Sequence, residues 1–321
     1  MVMESSFYRR FSGYLKDRFG SRVYRVCIDA GFSCPNRDGT LGRNGCCYCT
    51  PGGSWRKQDT SSIKQQVRLE KKRVKNRYGA ERFLAYFQAY TNTYAPVDVL
   101  KRVYDAAVIG DNDIVGLVIG TRPDCIDTEK LELISSYCKR GLFVLIEYGL
   151  QSANDRTLEL IGRGHNSRAF ADAVLRTREH GIGVGVHVII GLPGEGMDDI
   201  RATARFLAEL PIDLLKIHNL NIVEGTLAQR WYHDGTVSPL SLDEYAGLVV
   251  DFLERTDPEV TVDRLVAESD PSLLIEPRWS LQKQHVLQKI NDCFRERRSF
   301  QGILYNREPQ RRGLEDTLSL P

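Results

Sequence analysis

Six short runs of apolar and β-branched residues recur along the first two thirds of the chain, at residues 23–29, 83–90, 114–120, 142–149, 183–190 and 214–220. Segments with helical spacing alternate with them, near 60–78, 96–110, 127–140, 167–181 and 197–210. Thr60 and Ser61 are cap candidates for the first helix, and Pro96 stands where an opening helical turn tolerates proline. Several strand runs are apolar almost throughout, as in Gly185-Val-His-Val-Ile-Ile190. That suits a parallel sheet covered by helices rather than an antiparallel sheet with one wet face. Six β/α repeats joined by right-handed crossovers curl into a barrel or most of one. The expected fold is therefore α/β, a partial TIM barrel (β/α)6 over residues 23–239, preceded by a helical segment at 1–22. After Pro239 the rhythm changes to a helix at 241–255, a strand at 259–265 and a last helix at 280–298. These predict a small α+β extension over 240–308, followed by a polar, flexible tail at 309–321.

Chemistry in such barrels sits at the C-terminal ends of the strands. The polar segments 88–94, 120–124, 147–152, 191–195 and 218–221 all fall at those ends. So does a loop after the first strand, Cys34-Pro-Asn-Arg-Asp-Gly-Thr-Leu-Gly-Arg-Asn-Gly-Cys-Cys-Tyr-Cys49, which holds four of the chain's 8 cysteines. Cys34, Cys46 and Cys49 stand in a Cys-x11-Cys-x2-Cys spacing. Structural zinc wants four closed protein ligands, and the nearest fourth thiol, Cys47, lies between the pair, a poor place for a co-ligand. Three thiolates with an open corner suit a [4Fe–4S] cluster that leaves one iron free. A zinc knuckle remains the competing reading. Gly39, Gly42 and Gly45 let the loop wrap closely, and Arg37 and Arg43 would offset thiolate and sulfide charge.

Composition narrows the classes further. Hydrophobic residues at 42% and charged residues at 27% are those of a globular protein. No apolar run nears the roughly 20 residues of a membrane span, and the N-terminus has no apolar leader core. A cytoplasmic location follows as the expectation, and with it reduced thiols rather than disulfides. Net charge is +2, but residues 56–82 carry ten Lys/Arg against three Asp/Glu. A second basic group lies at Arg295, Arg297, Arg298, Arg311 and Arg312. Basic faces of this kind hold phosphate backbones, or are simply solvated helix faces.

The cysteine spacing, with Tyr48 before the last cysteine, resembles that of the radical S-adenosylmethionine (SAM) enzymes. The words around it, Ala30-Gly-Phe-Ser-Cys-Pro-Asn-Arg-Asp-Gly-Thr40, Tyr86-Phe-Gln-Ala-Tyr-Thr91 and Gly120-Thr-Arg-Pro-Asp-Cys125, resemble the YhcC/YtqA-type family. Gly149-Leu-Gln-Ser152, Arg163-Gly-His165, Gly191-Leu-Pro-Gly-Glu-Gly196 and Lys216-Ile-His218 extend the likeness from about Phe11 to beyond Gln301. Cys47 departs from it.

The resemblance implies a radical SAM-type barrel, a [4Fe–4S] cluster on Cys34, Cys46 and Cys49, and SAM chelated to its free iron. It further implies reductive cleavage of SAM to a 5′-deoxyadenosyl radical that abstracts hydrogen from an unactivated carbon. Gln151 and Arg163 match positions that contact SAM in related enzymes, and an arginine fork suits the methionine carboxylate. Tyr48, Asp124, Glu147 and His187 are further cofactor-side candidates; Glu147 and Gln151 alternate onto one side of their strand. The 191–195 turn would lie against the adenine. Lys216 and His218 alternate onto one face of the sixth strand and are the catalytic, substrate-side candidates. Tyr90 and Tyr94 would line the pocket.

Family context, through the elongator catalytic subunit and the methylthiotransferases, implies a tRNA substrate, with a modified wobble uridine side chain as one target. A reductant such as flavodoxin or ferredoxin is the implied partner, and no membrane. The absence of a second cysteine triplet argues against sulfur insertion. The alternatives are a radical SAM enzyme acting on a small metabolite and a non-catalytic, zinc-stabilised nucleic-acid-binding protein.

Overall fold

A computed structural model of the chain describes residues 6–50, 62–88 and 90–305. The cap candidates Thr60 and Ser61, the cations Arg56 and Lys57, and the tail at 309–321 lie outside the described residues. Strands β1 (Val23–Ile28), β2 (Arg82–Phe87), β3 (Ile114–Thr121), β4 (Phe143–Gln151), β5 (Gly183–Ile190) and β6 (Leu214–Asn219) match the six predicted runs. Among them pack α1 (Phe11–Phe19), α2 (Ile63–Tyr78), α3 (Val97–Val108), α4 (Thr128–Lys139), α5 (Asp155–Leu160), α6 (Ser167–Glu179) and α7 (Met197–Ala208). The C-terminal part adds β7 (Ile222–Val223), α8 (Leu227–His233), α9 (Leu242–Glu254), β8 (Thr261–Arg264), β9 (Leu274–Glu276) and α10 (Lys283–Arg297).

The main sheet is parallel in the order β1-β2-β3-β4-β5-β6-β8. It is the curled partial barrel expected from the alternating pattern, with one addition. Strand β8, read as part of the extension, pairs with β6 and becomes the seventh strand. β7 and β9 form a separate antiparallel pair. Ser62 caps α2, its side chain accepting from the Gln65 amide, and Asn166 caps α6 in the same way through Ala169.

Strand alternation separates two interiors. On β2, Phe83, Ala85 and Phe87 face the helices and join the large outer core with Leu100, Tyr104 and Ile134. Leu84 and Tyr86 face the other way and pack with Phe11, Leu15, Val118, Leu145 and Leu214. This second core is the barrel floor. Helix α1 plugs it at the N-terminal ends of the strands, where Phe11 lies 6.2 Å and Phe19 6.4 Å from the Phe143 ring. The plug leaves the opposite, C-terminal mouth as the way in. Among the described residues no helix is long and apolar enough to cross a membrane.

Candidate active site

The cysteine loop lies over that mouth, and its backbone is held by its own turns. Cys34 O accepts from the Arg37 amide at 2.8 Å, Asn36 O from Gly45 at 2.9 Å, and Cys46 O from Cys49 at 2.9 Å. Gly45 has φ 73°, and a Cβ there would stand 3.2 Å from Cys49 Cβ, so only glycine fits both conformation and space. The loop is tied to the barrel through the segment after β4. Cys47 N donates to Ile161 O at 3.0 Å, and Asn36 Nδ2 reaches Gly162 O at 2.8 Å and Arg163 O at 3.1 Å. Thr40 and Tyr94 share a hydroxyl hydrogen bond at 2.9 Å, so Tyr94 anchors the loop. The Arg37 guanidinium lies over the Tyr90 ring.

The three ligand candidates have unlike surroundings. Cys46 is buried, with Asn36 Nδ2 at 3.4 Å and Arg163 Nη1 at 3.6 Å from its sulfur. Burial pushes its thiol up, but Arg163 and the hydrogen bonds from Arg163 and Asn36 outweigh that and hold it below an ordinary cysteine. Cys49 is pushed up to about 11, chiefly by burial, with Arg37 pulling the other way and Cys46 and Cys34 adding to the rise. Cys34 is half-buried and within electrostatic reach of Cys49, Arg163 and Arg122. Among the described residues no three His, Cys, Asp or Glu side chains are gathered tightly enough to share one ion. Cys47 points into a separate apolar cluster with Leu158, Ile161, Leu192 and Ile222. Burial raises its thiol, as expected of a packing residue. Tyr48 packs beside that cluster, its hydroxyl close to the Cys46 thiol.

Arg163, at the mouth, is buried. Its Nε and Nη2 donate to Gly149 O at 3.2 and 2.7 Å, and its Nη1 faces Cys46. Gln151 ends β4 with φ 78°, a left-handed conformation unusual for a residue with a side chain. Strain of this kind concentrates where a side chain must be aimed. Ser152, next along, donates its hydroxyl to Glu195 and so ties the β4 end to the 191–196 turn. A Cβ on Gly149 would fall 2.5 Å from both Arg163 Nη2 and Gln151 Nε2. Both atoms end flexible side chains, so Gly149→Ala is expected to fold but to push Arg163 off Cys46 and Gln151 out of place. Its melting temperature should fall by only a few degrees, while the Cys46 thiol, without Arg163 beside it, reacts more slowly with iodoacetamide at neutral pH.

Deeper in the barrel, side chains from six strands form a polar, charged layer above the apolar floor. Glu147 (β4) accepts from Lys216 Nζ (β6) at 2.5 Å, from the Tyr86 hydroxyl (β2) at 2.8 Å and from His187 Nε2 (β5) at 2.9 Å. Arg25 (β1) pairs with Asp263 (β8) at 2.8 Å and stands 4.0 Å from Glu147. Lys216 Nζ is also 3.4 Å from Asp263 and lies over the Tyr86 ring at 4.7 Å. Burial pushes Glu147 up, but Lys216, His187 and Arg25 hold its carboxyl well below the usual range, so it stays ionised. An ionised Glu147 requires the proton of His187 on Nε2, which leaves Nδ1 as an acceptor. His218 stacks on His187 with centroids 5.2 Å apart, and its Nε2 is buried with no hydrogen-bond partner. Burial lowers both imidazoles, His218 further because His187, Arg264 and Lys216 lie near it. The layer therefore offers neutral imidazole nitrogens, held in place by an ion pair.

Glu147, His187, Lys216 and His218 thus come together in one interior, and Tyr48 and Arg163 gather at Cys46. Asp124 is bound side-on by Arg122 at 2.9 and 2.7 Å. The sequence marks Asn36, Tyr86 and Arg122 only by their place in the family-like segments 30–40, 86–91 and 120–125, and nothing in it marks Arg25 or Asp263.

Known proteins bear on this arrangement. The sequence model of the Radical SAM superfamily matches residues 39–207, and that of the Radical_SAM C-terminal domain matches 212–296. The chain is 37% identical over 302 residues to YtqA of Bacillus subtilis, covering 94% of this chain and 93% of that one. It is 39% identical over 270 residues to YhcC of Escherichia coli K12, covering 84% and 86%. A more distant relative, the tRNA uridine(34) acetyltransferase of Dehalococcoides mccartyi, is 32% identical over 158 residues, which cover 48% of this chain and 33% of that protein. In fold, the archaeal Methanocaldococcus infernus Elp3 is similar with a TM-score of 0.63 at 16% identity, covering 84% of this chain and 63% of that one.

Proposed function

The chain belongs to the radical SAM superfamily, in the group of YtqA and YhcC, and on that premise we propose that it is a tRNA-modifying enzyme that binds a [4Fe–4S] cluster and SAM. The residues present fit these groups. Cys34, Cys46 and Cys49 come from a loop shaped around a left-handed Gly45, and two buried guanidiniums and the Asn36 amide lie beside them. With Cys47 turned into an apolar cluster, the loop offers three thiols, which suit a cluster with one open iron better than the four closed ligands of structural zinc. Gln151 and Tyr48 would help hold SAM at the mouth. When bound, the cluster and SAM supply one-electron chemistry that attacks an unactivated C–H bond, the electron coming from a flavodoxin- or ferredoxin-type donor.

This chain's own part is to bind, orient and keep dry. The α1 plug closes the barrel from below, so water and stray hydrogen donors are excluded from that side. Lys216 and Glu147 fix each other, Glu147 fixes the His187 tautomer, and His218 Nε2 is left for a substrate group.

The observation that carries the reading is the stacking of the two imidazoles and the Glu147 ion pair directly inside the barrel over which the three thiols lie. For the tRNA, the support is the fold shared with Elp3, the likeness to a protein named for tRNA uridine 34, and helix α2. On α2, Lys64, Arg68, Lys72 and Lys75 are exposed and without an ion pair among the described residues, whereas Lys71 and Arg73 are paired. A wobble uridine side chain is the target this reading favours.

Mass spectrometry of tRNA nucleosides from cells with and without the gene tests it. A nucleoside that accumulates in the deletion, and is converted by the reconstituted protein with SAM and reductant, is the expected result. Binding of that tRNA should weaken steeply with salt, because released counterions drive it. Unchanged nucleosides and salt-independent binding of a small molecule would move the substrate to the metabolite class.

A further inference from the structure

We propose that Arg264, with His218 beside it, forms a site for an anionic group, a carboxylate or a phosphate, that the substrate carries into the barrel. This site presupposes the reading of the interior as the substrate side of a radical SAM enzyme. The sheet carries an irregularity there. Strand β8 pairs with β6 at Thr261–Leu214 and Val262–Leu215, but the next pair is Arg264 with Lys216, so Asp263 is skipped. An extra residue of this kind re-aims the side chains around it. Residues directly opposite each other share a face of a sheet, which puts Arg264 on the inner face with Lys216. Asp263, at the extra position, turns inward as well and meets Arg25 at 2.8 Å and Lys216 at 3.4 Å. Two successive residues of one strand thus serve the same interior.

They differ in what they have left. Asp263 is occupied on both sides, whereas Arg264 is half-buried and makes no side-chain hydrogen bond or ion pair among the described residues. Its charge acts on His187, His218, Lys216 and Tyr86. It also acts on Glu268, whose carboxylate is taken by Lys283 at 2.9 Å. In the layer, the cations Arg25, Lys216 and Arg264 face the anions Glu147 and Asp263, three charges against two, and both imidazoles are neutral. One positive charge is left in excess in a partly enclosed space, where an anion is its complement. His218 stands two positions beyond Lys216 on β6, and its Nε2 is buried with no partner. A neutral imidazole with its one proton on Nε2 donates to the same anion that the guanidinium fork holds. A neutral or cationic substrate group would leave the guanidinium unmatched.

Phenylglyoxal, which attacks free guanidiniums, reads the site on the anaerobically reconstituted protein. Peptide mass spectrometry gives the rate at Arg264 and, as an internal reference, at the exposed Arg18. Acetate and inorganic phosphate are the anionic probes and acetamide the neutral one, all at equal ionic strength. An anion at about 100 mM should slow modification of Arg264 about fivefold, the occupancy that one or two charge-assisted contacts give. Acetamide should leave that rate unchanged, and Arg18 should react alike throughout. Protection by acetate alone assigns a carboxylate, by phosphate alone a phosphate, and by both an anion of either kind. His218→Leu should need several-fold more anion for the same protection, and the wild-type comparison decides the site even where that variant fails to fold. No slowing by either anion, or slowing shared by acetamide or by Arg18, overturns the site while leaving the radical SAM reading in place. A wild-type protein that takes up neither iron nor SAM overturns that reading, and with it the assignment of the site to the substrate.

Discussion

Cys49→Ala is expected to abolish iron uptake and all SAM cleavage, while Cys47→Ala, two residues away, keeps both. The contrast follows from where the two thiols point. Cys49 lies against Gly45 and within reach of Cys34 and Cys46, whereas Cys47 is packed among Leu158, Ile161, Leu192 and Ile222. Burial holds the free Cys49 thiol up to about 11, so at neutral pH it becomes a thiolate only by binding metal. Cys46, already lowered by Arg163, is the ready first ligand. A cubane held by two thiols instead of three would have two irons without an anchor, which would be a loss of the site rather than a weakening. Cys47→Ala removes a small buried group and should cost about 1 kcal/mol of stability. Iron analysis, the visible spectrum and 5′-deoxyadenosine formation under reductant read the outcome. Iron retained in Cys49→Ala, or lost in Cys47→Ala, would overturn the ligand assignment.

Such a contrast between neighbours was half legible in the sequence. The spacing set Cys47 apart as an awkward ligand, but its burial direction comes from contacts with residues more than a hundred positions away. The same division holds elsewhere. Strand β5 follows its apolar run residue for residue, because a strand covered by helices must be apolar on its outer face and small or functional on its inner one. Strand β2 was predicted to reach residue 90 but ends at Phe87; Tyr90 adopts φ 58°, which no extended strand continues through. Strand β8 looked like part of a separate extension because nothing local says that four residues pair with β6. That pairing matters for the site, since it brings Asp263 to Arg25 and Lys216. The cysteines, Gln151, Arg163 and the Lys216–His218 pair announce themselves by motif, whereas Arg25 and Asp263, which complete the charged layer, are brought to it by topology alone. Arg163 also shows the limit of a motif: its position was legible, but the partners that occupy its donors were not.

The largest stability effect is expected from Lys216→Met. Lys216 and Glu147 are 1% and 0% exposed at their side chains, and removing one partner of such a pair leaves the other charge buried. That costs about 3–5 kcal/mol. Arg25 at 4.0 Å and His187 at 2.9 Å compensate only in part, because Arg25 is already engaged by Asp263. Glu147→Gln together with Lys216→Met removes both charges and keeps the volume, so the double variant should regain much of the loss. The pH dependence carries a definite sign. Glu147 is held well below the usual carboxylate range in the fold, so its contribution is present above the unfolded value of about 4.3 and is lost only as pH falls through the lower folded value. Between pH 7 and 5 the wild type should therefore show no loss from this group. In Lys216→Met the carboxyl loses its strongest partner and its pKa rises, so that variant should gain stability as pH falls toward 5. Urea midpoints across that range, on protein of equal iron content, separate the two behaviours. A Lys216→Met variant that is as stable as wild type at every pH, yet inactive, would mean that the lysine serves the substrate alone and that the ion pair does not hold the barrel layer.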